Sequence, residues 1–327
     1  MATTQTTDVL WDQAAYEQLA YYALRAATFY DQFATVKPTR QSMPGASVIF
    51  DFVTDIAAAV TALTENTDIT PATMGDAQVT VTLAEYGNGV QTTARLQGVS
   101  YLPVDPIMAE LIGYNMAESV DLLALTELMN GTNVRLQDAV AARVNLAPAN
   151  VLTADSVRFV VAKLRAASAM PWDGSTYMAT IHPDVSYDLR RATGTASWRD
   201  AQVYTDANVD KVWNAYIGTF ESVRFQETPR TFGPNPTYGT VPAAVNGANL
   251  GTAGTTDVYG THFIGQQAMA KAFSMHETWG ANPRMVVAPV TDFLRRKGGV
   301  GWKYLAGWKM FRQACAYRVE SASSIGV

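Results

Sequence analysis

The sequence predicts an α+β fold, and three features of the chain support this prediction. Residues 106–129 form one long apolar stretch with helical periodicity. A Thr-rich segment in which apolar and polar residues alternate precedes this stretch, and a region of short apolar segments separated by turn residues follows it. One long helix between two β-containing regions is typical of a scaffold, and it identifies no function by itself.

The long helix carries signals at both ends. Asp105 is a suitable N-cap and Pro106 fits the first helical position, while Asn130 and Gly131 predict a left-handed stop. At 1.5 Å per residue this helix would be roughly 36 Å long. Its apolar stripe is formed by residues at helical spacing, among them Met108, Ile112, Met116, Val120 and Leu123.

The chain before this helix divides into an arm and a hairpin. Residues 9–33 have helical spacing and an unusual aromatic content, which predicts a terminal arm that lies against its own subunit or a neighbour. Two β segments follow at 48–53 and 78–84, and the residues between them predict a long, poorly buried hairpin with an irregular tip. An isolated two-stranded ribbon is marginally stable in water, so we expect this one to lean on a partner.

The chain after the long helix is predicted to alternate short helices and strands. Residues 155–169 form an amphipathic helix with Thr153 as its N-cap, and a helix at 184–191 lies between strands at 176–181 and 221–226. Residues 229–257 lack periodicity and are rich in Gly, Pro, Thr and Asn, which predicts a long exposed loop. Residues 302–319 resemble a strand whose apolar register changes near Met310, where we expect a bulge or a change of strand.

Composition limits the classes of function. No apolar run in the 327 residues approaches the ~18 that a membrane span needs, and the N-terminus lacks the features of a signal peptide. Cys315 is the only cysteine, so no intrachain disulfide can form. We therefore expect a protein that is made in a cytoplasm and has no membrane partner.

The net charge of −5 conceals an asymmetry along the chain. Residues 271–318 contain nine Lys and Arg and two acidic residues, a net +7, whereas the first 270 residues carry −11. A nucleic-acid-binding protein usually has a high pI, and the pI of this chain is about 5.3. Two interpretations remain open: opposite charges that meet between subunits, or two solvated faces that differ in sign.

The search for chemistry finds one local candidate. His182 lies two residues before Asp184, and a nearby carboxylate can orient a histidine as a base. No nucleophile motif accompanies the pair, and Pro183 and Asp184 fit the first turn of a helix better. The three histidines and the single cysteine are scattered, and no phosphate-binding glycine loop or calcium loop occurs. The sequence therefore predicts no catalytic residue, no cofactor and no metal.

The C-terminal aromatic residues allow two interpretations. Trp302, Tyr304 and Trp308 alternate with positions that include Lys303 and Lys309. This pattern fits a stacking platform for single-stranded nucleic acid, or an amphipathic strand whose aromatic face belongs to the core. We favour the strand.

Several short segments, spaced in order along nearly the whole chain, carry a family resemblance. They are YYALR (21–25), ATVKPTRQ (34–41), QVTVTL (78–83) with EYG (85–87), VDP (104–106), IHPD (181–184) with YDLR (187–190), VRF (223–225) and VGWK (300–303). As an ordered set they resemble the tailed-phage major capsid proteins of the phage N-four-like group. The loop at 229–257 is matched least.

This resemblance implies the Hong Kong 97-like capsid fold. The implied parts are an N-terminal arm over residues 1–35, an extended β-hairpin loop over 36–98 and a peripheral domain with the long spine helix over 99–176. An axial α/β domain over 177–290 and a return to the peripheral domain over 291–327 complete it. The aromatic arm and the unsupported ribbon would then pack on neighbouring subunits.

The resemblance also implies a function without enzymatic activity. The chain would be a major capsid protein whose hexamers and pentamers self-assemble into an icosahedral shell around double-stranded phage DNA, without sequence-specific binding. It would be synthesised and assembled in the bacterial host cytoplasm, reside in the virion capsid, and meet scaffolding, portal and decoration proteins. Two alternatives remain: an encapsulin-like nanocompartment shell that stores a cargo enzyme, and a soluble hydrolase that uses His182 and Asp184.

The resemblance makes the hairpin and the arm candidates for subunit contacts. No lysine occurs between Lys37 and Lys163, so the hairpin has none to donate to the Lys–Asn isopeptide bond that locks some relatives of this fold, and we expect a shell without that crosslink. The predicted subunit-interface residues are Tyr22, Phe29 and Phe33 in the arm, Phe50, Phe52, Val79 and Val81 in the hairpin, and Arg295 and Arg296 in a basic loop.

Overall fold

The computed structural model of this protein contains a five-stranded sheet, a six-stranded sheet, a two-stranded ribbon and one long helix. The structure describes residues 30–36, 47–54, 56–63, 65–66, 68–100, 104–192, 216–234, 243–274, 282–288, 294 and 296–325. The helices are α1 (Ala94–Val99), α2 (Val104–Met129), α3 (Ala154–Ala166) and α4 (Pro183–Arg191). The strands are β1 (Ala34–Val36), β2 (Ser47–Thr54), β3 (Gly75–Thr82), β4 (Ala84–Thr93), β5 (Val134–Leu136), β6 (Tyr177–Ile181), β7 (Tyr216–Phe220), β8 (Val223–Glu227), β9 (Tyr259–Ile264), β10 (Met269–Phe273), β11 (Arg284–Ala288), β12 (Lys297–Met310) and β13 (Ala316–Ser321).

Helix α2 is the predicted long helix, and its 26 residues span roughly 39 Å. It begins at Val104, so Asp105 lies inside the helix and the predicted N-cap is wrong. The helix ends at Met129 as expected, but neither Asn130 nor Gly131 has the positive φ of the predicted left-handed stop. Instead, the N–H groups of these two residues donate to carbonyls three residues earlier, which tightens the last turn.

Strand β12 organises the five-stranded sheet. It pairs antiparallel with β4 along one edge, and with β10 and β11 along the other, while β1 adds in parallel to β10. One face of this sheet packs on α2, where Trp302 Nε1 donates to Asn115 Oδ1 at 3.0 Å. Trp302, Tyr304 and Trp308 are all buried, so these aromatics belong to the core and cannot stack nucleic-acid bases.

The six-stranded sheet has the order β5-β13-β9-β6-β8-β7. Its last strand in the chain, β13, follows β12 after a short 3-10 turn at Gln313–Cys315, which confirms the predicted change of strand near Met310. The predicted strand at 176–181 and helix at 184–191 are β6 and α4, and Thr153 caps α3 by accepting from the N–H of Ser156.

Strand pairing crosses the predicted domain ranges. Strands β10 and β11 lie within residues 177–290 but pair with β12 in the five-stranded sheet, whereas β5 and β13 lie outside that range and pair in the six-stranded sheet. Domain ranges drawn in chain order cannot follow these sheets, because β-pairing joins segments that are far apart in the sequence.

The segment at 229–257 is not an exposed loop in its described parts, 229–234 and 243–257. Phe232 is 1% exposed, and Val245 is buried as well. Phe232 packs so closely on Gly260 of β9 that a Cβ there would lie 2.9 Å from its ring. The prediction of an exposed loop is wrong here because two apolar anchors are enough to bury a segment that has no periodicity.

Two buried arginines hold the C-terminal half of α2 to the rest of the subunit. Arg318 on β13 donates from Nη1 to the carbonyl of Met129 at 2.6 Å and from Nε to Glu320 at 2.9 Å. Arg230, from the segment after β8, forms an ion pair with Glu118 on α2 at 2.6 Å. These contacts hold the long helix against β13 and against the segment that follows β8.

Candidate subunit-interface surfaces

The base of the ribbon is anchored on its own subunit. Strands β2 and β3 pair antiparallel from Ser47–Thr82 to Thr54–Gly75. Val48, Phe50 and Val81 are buried against Ala270 and Ala272 of β10. The Phe50 ring also lies 5.7 Å from that of Phe311, and a Cβ on Gly307 of β12 would lie 2.2 Å from the carbonyl oxygen of Thr82. Small residues in the sheet therefore form the floor on which the ribbon base rests.

The tip of the ribbon, residues 56–74, is exposed where the structure describes it. It contains no helix or strand in the described positions, which confirms the predicted irregular tip. The exposed fraction of Val60 is 91%, and large apolar side chains around it are also exposed. A monomeric protein rarely displays so many apolar side chains on one projection, which therefore marks an interaction surface. The exposed apolar residues of the tip are Ile56, Val60, Leu63, Ile69 and Met74.

The ribbon carries charge of one sign. Residues 47–83 contain five acidic residues and no lysine or arginine. The structure exposes Asp51, Glu65, Asp68 and Asp76. The ribbon therefore displays apolar side chains, and all of its charged side chains are acidic.

A second surface lies on the five-stranded sheet, on the face turned away from α2. There, Gly89 of β4, Gly301 of β12 and Val286 of β11 stand side by side in register. Together with Gly299 they line what we call the glycine trough, a groove of about 330 Å³. Gly301, and Gly87 farther along β4, are required by the fold, because a Cβ on either residue would lie within 3 Å of a backbone oxygen on the adjacent strand.

The ends of the glycine trough are positively charged. Four alternate positions of β12 lie on the same face of the sheet, and they are occupied by Lys297, Gly299, Gly301 and Lys303. A lysine therefore lies at each end of the pair of glycines. Arg284 of β11 pairs with Lys303 and adds a third cation to that face. The trough thus combines a backbone floor with a basic rim.

Among the described strands, β11 is the edge of the same sheet and adds apolar surface there. It pairs with β12 on one side, and Met285, Val286 and Val287 are all partly or largely exposed. An exposed apolar strand at a sheet edge is prone to pairing with other chains unless a partner covers it. This edge is therefore a further candidate surface for contact with another chain.

The predicted interface residues are distributed over several environments. Phe33 is 1% exposed and packs edge-on against Trp172 at 5.9 Å, and Phe50 and Val81 are buried under the ribbon base. These three side chains belong to the core of their own subunit, which corrects their assignment to an interface. Phe52 and Val79 are half-buried, Arg296 is exposed, and Tyr22, Phe29 and Arg295 lie outside the described residues. Sequence reasoning missed the exposed tip residues, although the apolar run at 56–63 was a usable signal.

The His182–Asp184 pair is a helix cap. The Nδ1 atom of His182 accepts from the backbone N–H of Asp184 at 3.2 Å, and Tyr259 donates from its hydroxyl to Asp184 Oδ2 at 2.8 Å. Burial lowers the pKa of His182, against the opposing effect of Asp184. His182 Nδ1 and Asp184 Oδ2 are thus engaged in local structure. The nearby Ser186 hydroxyl lies 2.9 Å from the carbonyl oxygen of Pro183 and 2.7 Å from Glu227 Oε1, and its single proton is donated to one of these two acceptors.

Another buried histidine lies between the long helix and the six-stranded sheet. His262 of β9 contacts Met129 Sδ from Nε2 at 3.2 Å, and Nδ1 lies 3.5 Å from the hydroxyls of Thr180 and Thr231. Burial, and then the positive charge of Arg318, lowers the pKa of His262 to about 3. The imidazole is therefore neutral in the folded protein near neutral pH.

Other classes of site receive no support from the described residues. No three His, Cys, Asp or Glu side chains in those ranges are grouped as a metal ion would require. No described helix is both long and apolar enough to cross a membrane. The surfaces that stand out are the ribbon tip, the glycine trough and the edge of β11.

Comparison with known proteins places these surfaces in context. A family model described as phage capsid protein matches residues 4–322. No curated protein matches the chain significantly in sequence.

Solved structures resemble the chain over most of its length. The capsid of Ralstonia phage GP4 is 11% identical, covers 92% of each chain and gives a TM-score of 0.71. The acidic stable capsid of Helicobacter pylori bacteriophage KHP30 is 10% identical, with 92% of this chain and 93% of that chain covered and a TM-score of 0.67. The capsid asymmetric unit of Cyanophage Pam1 is 15% identical, covers 86% of each chain and gives a TM-score of 0.66. At these identities the likeness shows the fold, and it confirms the predicted Hong Kong 97-like class.

Proposed function

This chain belongs to the phage capsid protein family, and from that premise we propose that it is the major subunit of an icosahedral shell that encloses double-stranded phage DNA. Hexamers and pentamers of the chain form the shell, and the chain carries out no reaction of its own. The encapsulin-like alternative shares the fold but is not favoured, because the family model that matches describes phage capsids.

The observation that carries this proposal is the exposed apolar ribbon tip. Val60 and Leu63 are 91% and 76% exposed on a projection whose base is firmly packed on the body of the subunit. A rigid base with an uncovered apolar tip suits an element that reaches onto a neighbouring copy. In a shell, many such contacts of modest strength add up, and their fixed geometry closes the assembly.

The subunit's charge fits the proposed contents. The body of the chain is acidic, with −11 over the first 270 residues. A surface of this sign does not bind DNA phosphates strongly, so it limits non-specific adhesion of the packaged DNA to the shell. We further propose that synthesis and assembly take place in the bacterial host cytoplasm, that the product resides in the virion capsid, and that portal, scaffolding and decoration proteins are its other partners.

The test is assembly of the wild-type chain and of two matched variants. Expressed in a bacterium, the wild-type chain is expected to form closed shells or capsomer sheets in negative-stain electron microscopy. The tip variant Val60→Ser with Leu63→Ser is expected to lose them, whereas Val144→Ser with Met170→Ser, which alters apolar residues exposed elsewhere, is expected to retain them. A wild-type chain that stays monomeric even when co-expressed with the scaffolding protein proposed as its partner would contradict the proposal, and particles that contain a cargo enzyme would favour the nanocompartment.

A further inference from the structure

We propose that the 3-10 turn at Tyr30–Phe33, which we call the arm root, is a lock that fixes the angle between the two large β-sheets of the subunit. The arm root contacts elements of both sheets and of the long helix at the same time. A shell closes only if every copy presents its surfaces at a defined angle, so this lock sets the curvature of the assembly. The step to curvature rests on the proposed function, whereas the lock itself is a property of one subunit.

The two sheets are connected by chain segments that can act as a hinge. Residues 265–268 carry the chain from β9 to β10, and residues 311–315 carry it from β12 to β13. These two connections lie side by side, because the N–H of Phe311 donates to the carbonyl of Ala268 at 2.9 Å. A few residues at the ends of elements are enough to absorb a rotation of one body against another. The angle about such a hinge is therefore fixed by contacts that lie outside it.

The arm root holds the five-stranded sheet through Asp31. The Oδ2 atom of Asp31 accepts from Nζ of Lys271 on β10, and Oδ1 accepts from Nε1 of Trp308 on β12 at 2.9 Å. Lys271 is 8% exposed, and Asp31 is its carboxylate partner among the described residues. A buried ammonium group that loses its partner carries a large desolvation penalty, so this contact resists opening.

The preceding residue, Tyr30, faces the long helix and the six-stranded sheet. Its side chain is fully buried, and its N–H donates to Asp121 Oδ1 on α2 at 2.6 Å. The other carboxylate oxygen of Asp121 lies 3.9 Å from Nη1 of Arg230, in the segment after β8. The hydroxyl of Tyr30 lies next to the side chains of Thr180 on β6 and Thr231. Tyr30 therefore meets the six-stranded sheet directly, and also indirectly through Asp121.

The last residue of the arm root adds a contact beside the hinge. Phe33 is 1% exposed and packs edge-on against Trp172 at 5.9 Å. The carbonyl of Trp172 accepts from Nε2 of Gln266, which belongs to the connection between β9 and β10, at 2.9 Å. Four consecutive residues thus contact α2, β6, β10 and β12, together with the segment before β6. A change of angle between the sheets has to break some of these contacts.

A double-mutant cycle on the dissociated subunit tests the lock. Lys271→Met removes the contact on the five-stranded sheet, and Tyr30→Phe removes the hydroxyl that faces the six-stranded sheet. If one lock joins the two sides, opening either side weakens the other, and the second substitution then has less left to remove. In urea unfolding, the combined effect on the equilibrium constant is expected to fall short of the product of the single effects by about fivefold or more.

Tyr177→Phe is the matched control for this cycle. Tyr177 is a buried tyrosine of the same six-stranded sheet, but its hydroxyl donates to the carbonyl of Ala169 at 3.0 Å and not to the arm root. Its effect and that of Lys271→Met are expected to multiply to within about twofold. If Lys271→Met does not fold, Asp31→Asn takes its place, because it keeps the shape of the side chain and removes the charge that Lys271 pairs with.

The shells formed by these variants show what the lock does in the assembly. Wild-type shells are expected to have one diameter in negative-stain electron microscopy. Folded Lys271→Met is expected to give shells whose spread in diameter is at least about twice as large, since its sheets no longer keep one angle. Lys163→Met, which alters an exposed lysine of α3, is expected to keep the wild-type distribution.

The outcomes separate this inference from the proposed function. Independent effects of Tyr30→Phe and Lys271→Met would overturn the lock whether or not shells form, because the cycle is measured on the dissociated subunit. Coupled effects together with shells of unchanged uniformity would overturn the role of the lock in curvature. A wild-type chain that does not assemble even with a scaffolding protein contradicts the shell function, and the cycle still decides whether the lock exists.

Discussion

The guanidinium of Arg318 on β13 donates a hydrogen bond to the carbonyl oxygen of Met129 at 2.6 Å, so a buried cation caps the last residue of the long helix α2. The same guanidinium contacts Glu320, which is itself buried and also receives two hydrogen bonds from Arg143. The end of the helix and the six-stranded sheet are therefore held together by one charged cluster.

Replacing Arg318 should destabilise the subunit strongly. Arg318→Met removes the helix cap and leaves buried Glu320 with Arg143, whose side chain is 39% exposed. We expect the free energy of unfolding, measured with urea on the dissociated subunit, to fall by about 3 kcal/mol, as when one partner of a buried pair is removed. Arg190→Met is the control, because Arg190 is a surface residue in a long ion pair at 3.9 Å and should cost less than about 1 kcal/mol. Equal losses in the two variants would refute the role of Arg318.

His262 should make the subunit less stable in acid. Its pKa is lowered to about 3 in the folded protein, whereas the ordinary value is 6.5, so the unfolded chain binds the proton first as the pH falls. The contribution of His262 to the free energy of unfolding is fully present above pH 6.5. As the pH falls from 6.5 to 3, this contribution is lost by up to about 1.4 kcal/mol per pH unit. The free energy of unfolding, measured with urea between pH 7 and pH 4, should depend less on pH in His262→Gln than in the wild type. An unchanged slope would show that other groups set the acid sensitivity.

Two glycines should respond in opposite directions to alanine. A Cβ on Gly307 would lie 2.2 Å from the carbonyl oxygen of Thr82, so Gly307→Ala should displace the ribbon base and lower the free energy of unfolding by about 1–3 kcal/mol. Gly113 lies within α2 with nothing within 4 Å of such a carbon, so Gly113→Ala should raise that free energy by about 0.5–1 kcal/mol. Limited proteolysis should cut the ribbon faster only in Gly307→Ala. Protection equal to the wild type would mean that the ribbon does not depend on this floor.

Core and tip residues of the ribbon should separate stability from assembly. Phe50 is 4% exposed, so Phe50→Ala should lower the free energy of unfolding of the isolated subunit by about 3–5 kcal/mol. Val60→Ala should leave that quantity within about 0.5 kcal/mol and impair assembly instead. A Phe50→Ala subunit with wild-type stability would restore Phe50 to the list of interface candidates.

The shell should contain no covalent link donated by the ribbon. No lysine occurs between Lys37 and Lys163, so the ribbon lacks the amine of a Lys–Asn isopeptide bond. Purified particles boiled in denaturant should therefore run on a gel as single chains of 35.4 kDa. A ladder of multimers that survives boiling would disprove this expectation.

Local signals predicted many elements well. The long helix, the hairpin, α3 with its Thr153 cap, α4 and the change of strand near Met310 all follow from periodicity or capping chemistry within a few residues. The end of α2 was found by its residue types, yet it closes by a tightened turn rather than the left-handed geometry predicted. Residue type therefore predicts the position at which a helix ends better than it predicts the backbone geometry of the last turn.

The candidate surfaces were predicted less well. The hairpin was correctly identified as an exposed element, but Phe50 and Val81 were assigned to an interface although the subunit's own sheet covers them. Aromatic and branched residues in a strand have the same pattern whether their cover comes from the same chain or from another. The pattern in the sequence therefore cannot say which surface buries them.

The sequence by itself determined the long helix, the acidic ribbon without lysine, the basic C-terminal segment and the absence of a recognisable catalytic motif, because these depend on local spacing and on residue counts. Only the tertiary structure decided that alternate positions of β12 place Gly307 under the ribbon and Gly301 in an open trough, and that Phe232 and Val245 are buried. The reason is that burial depends on partners far along the chain, such as Gly301 beside Gly89, and no local period encodes those pairings.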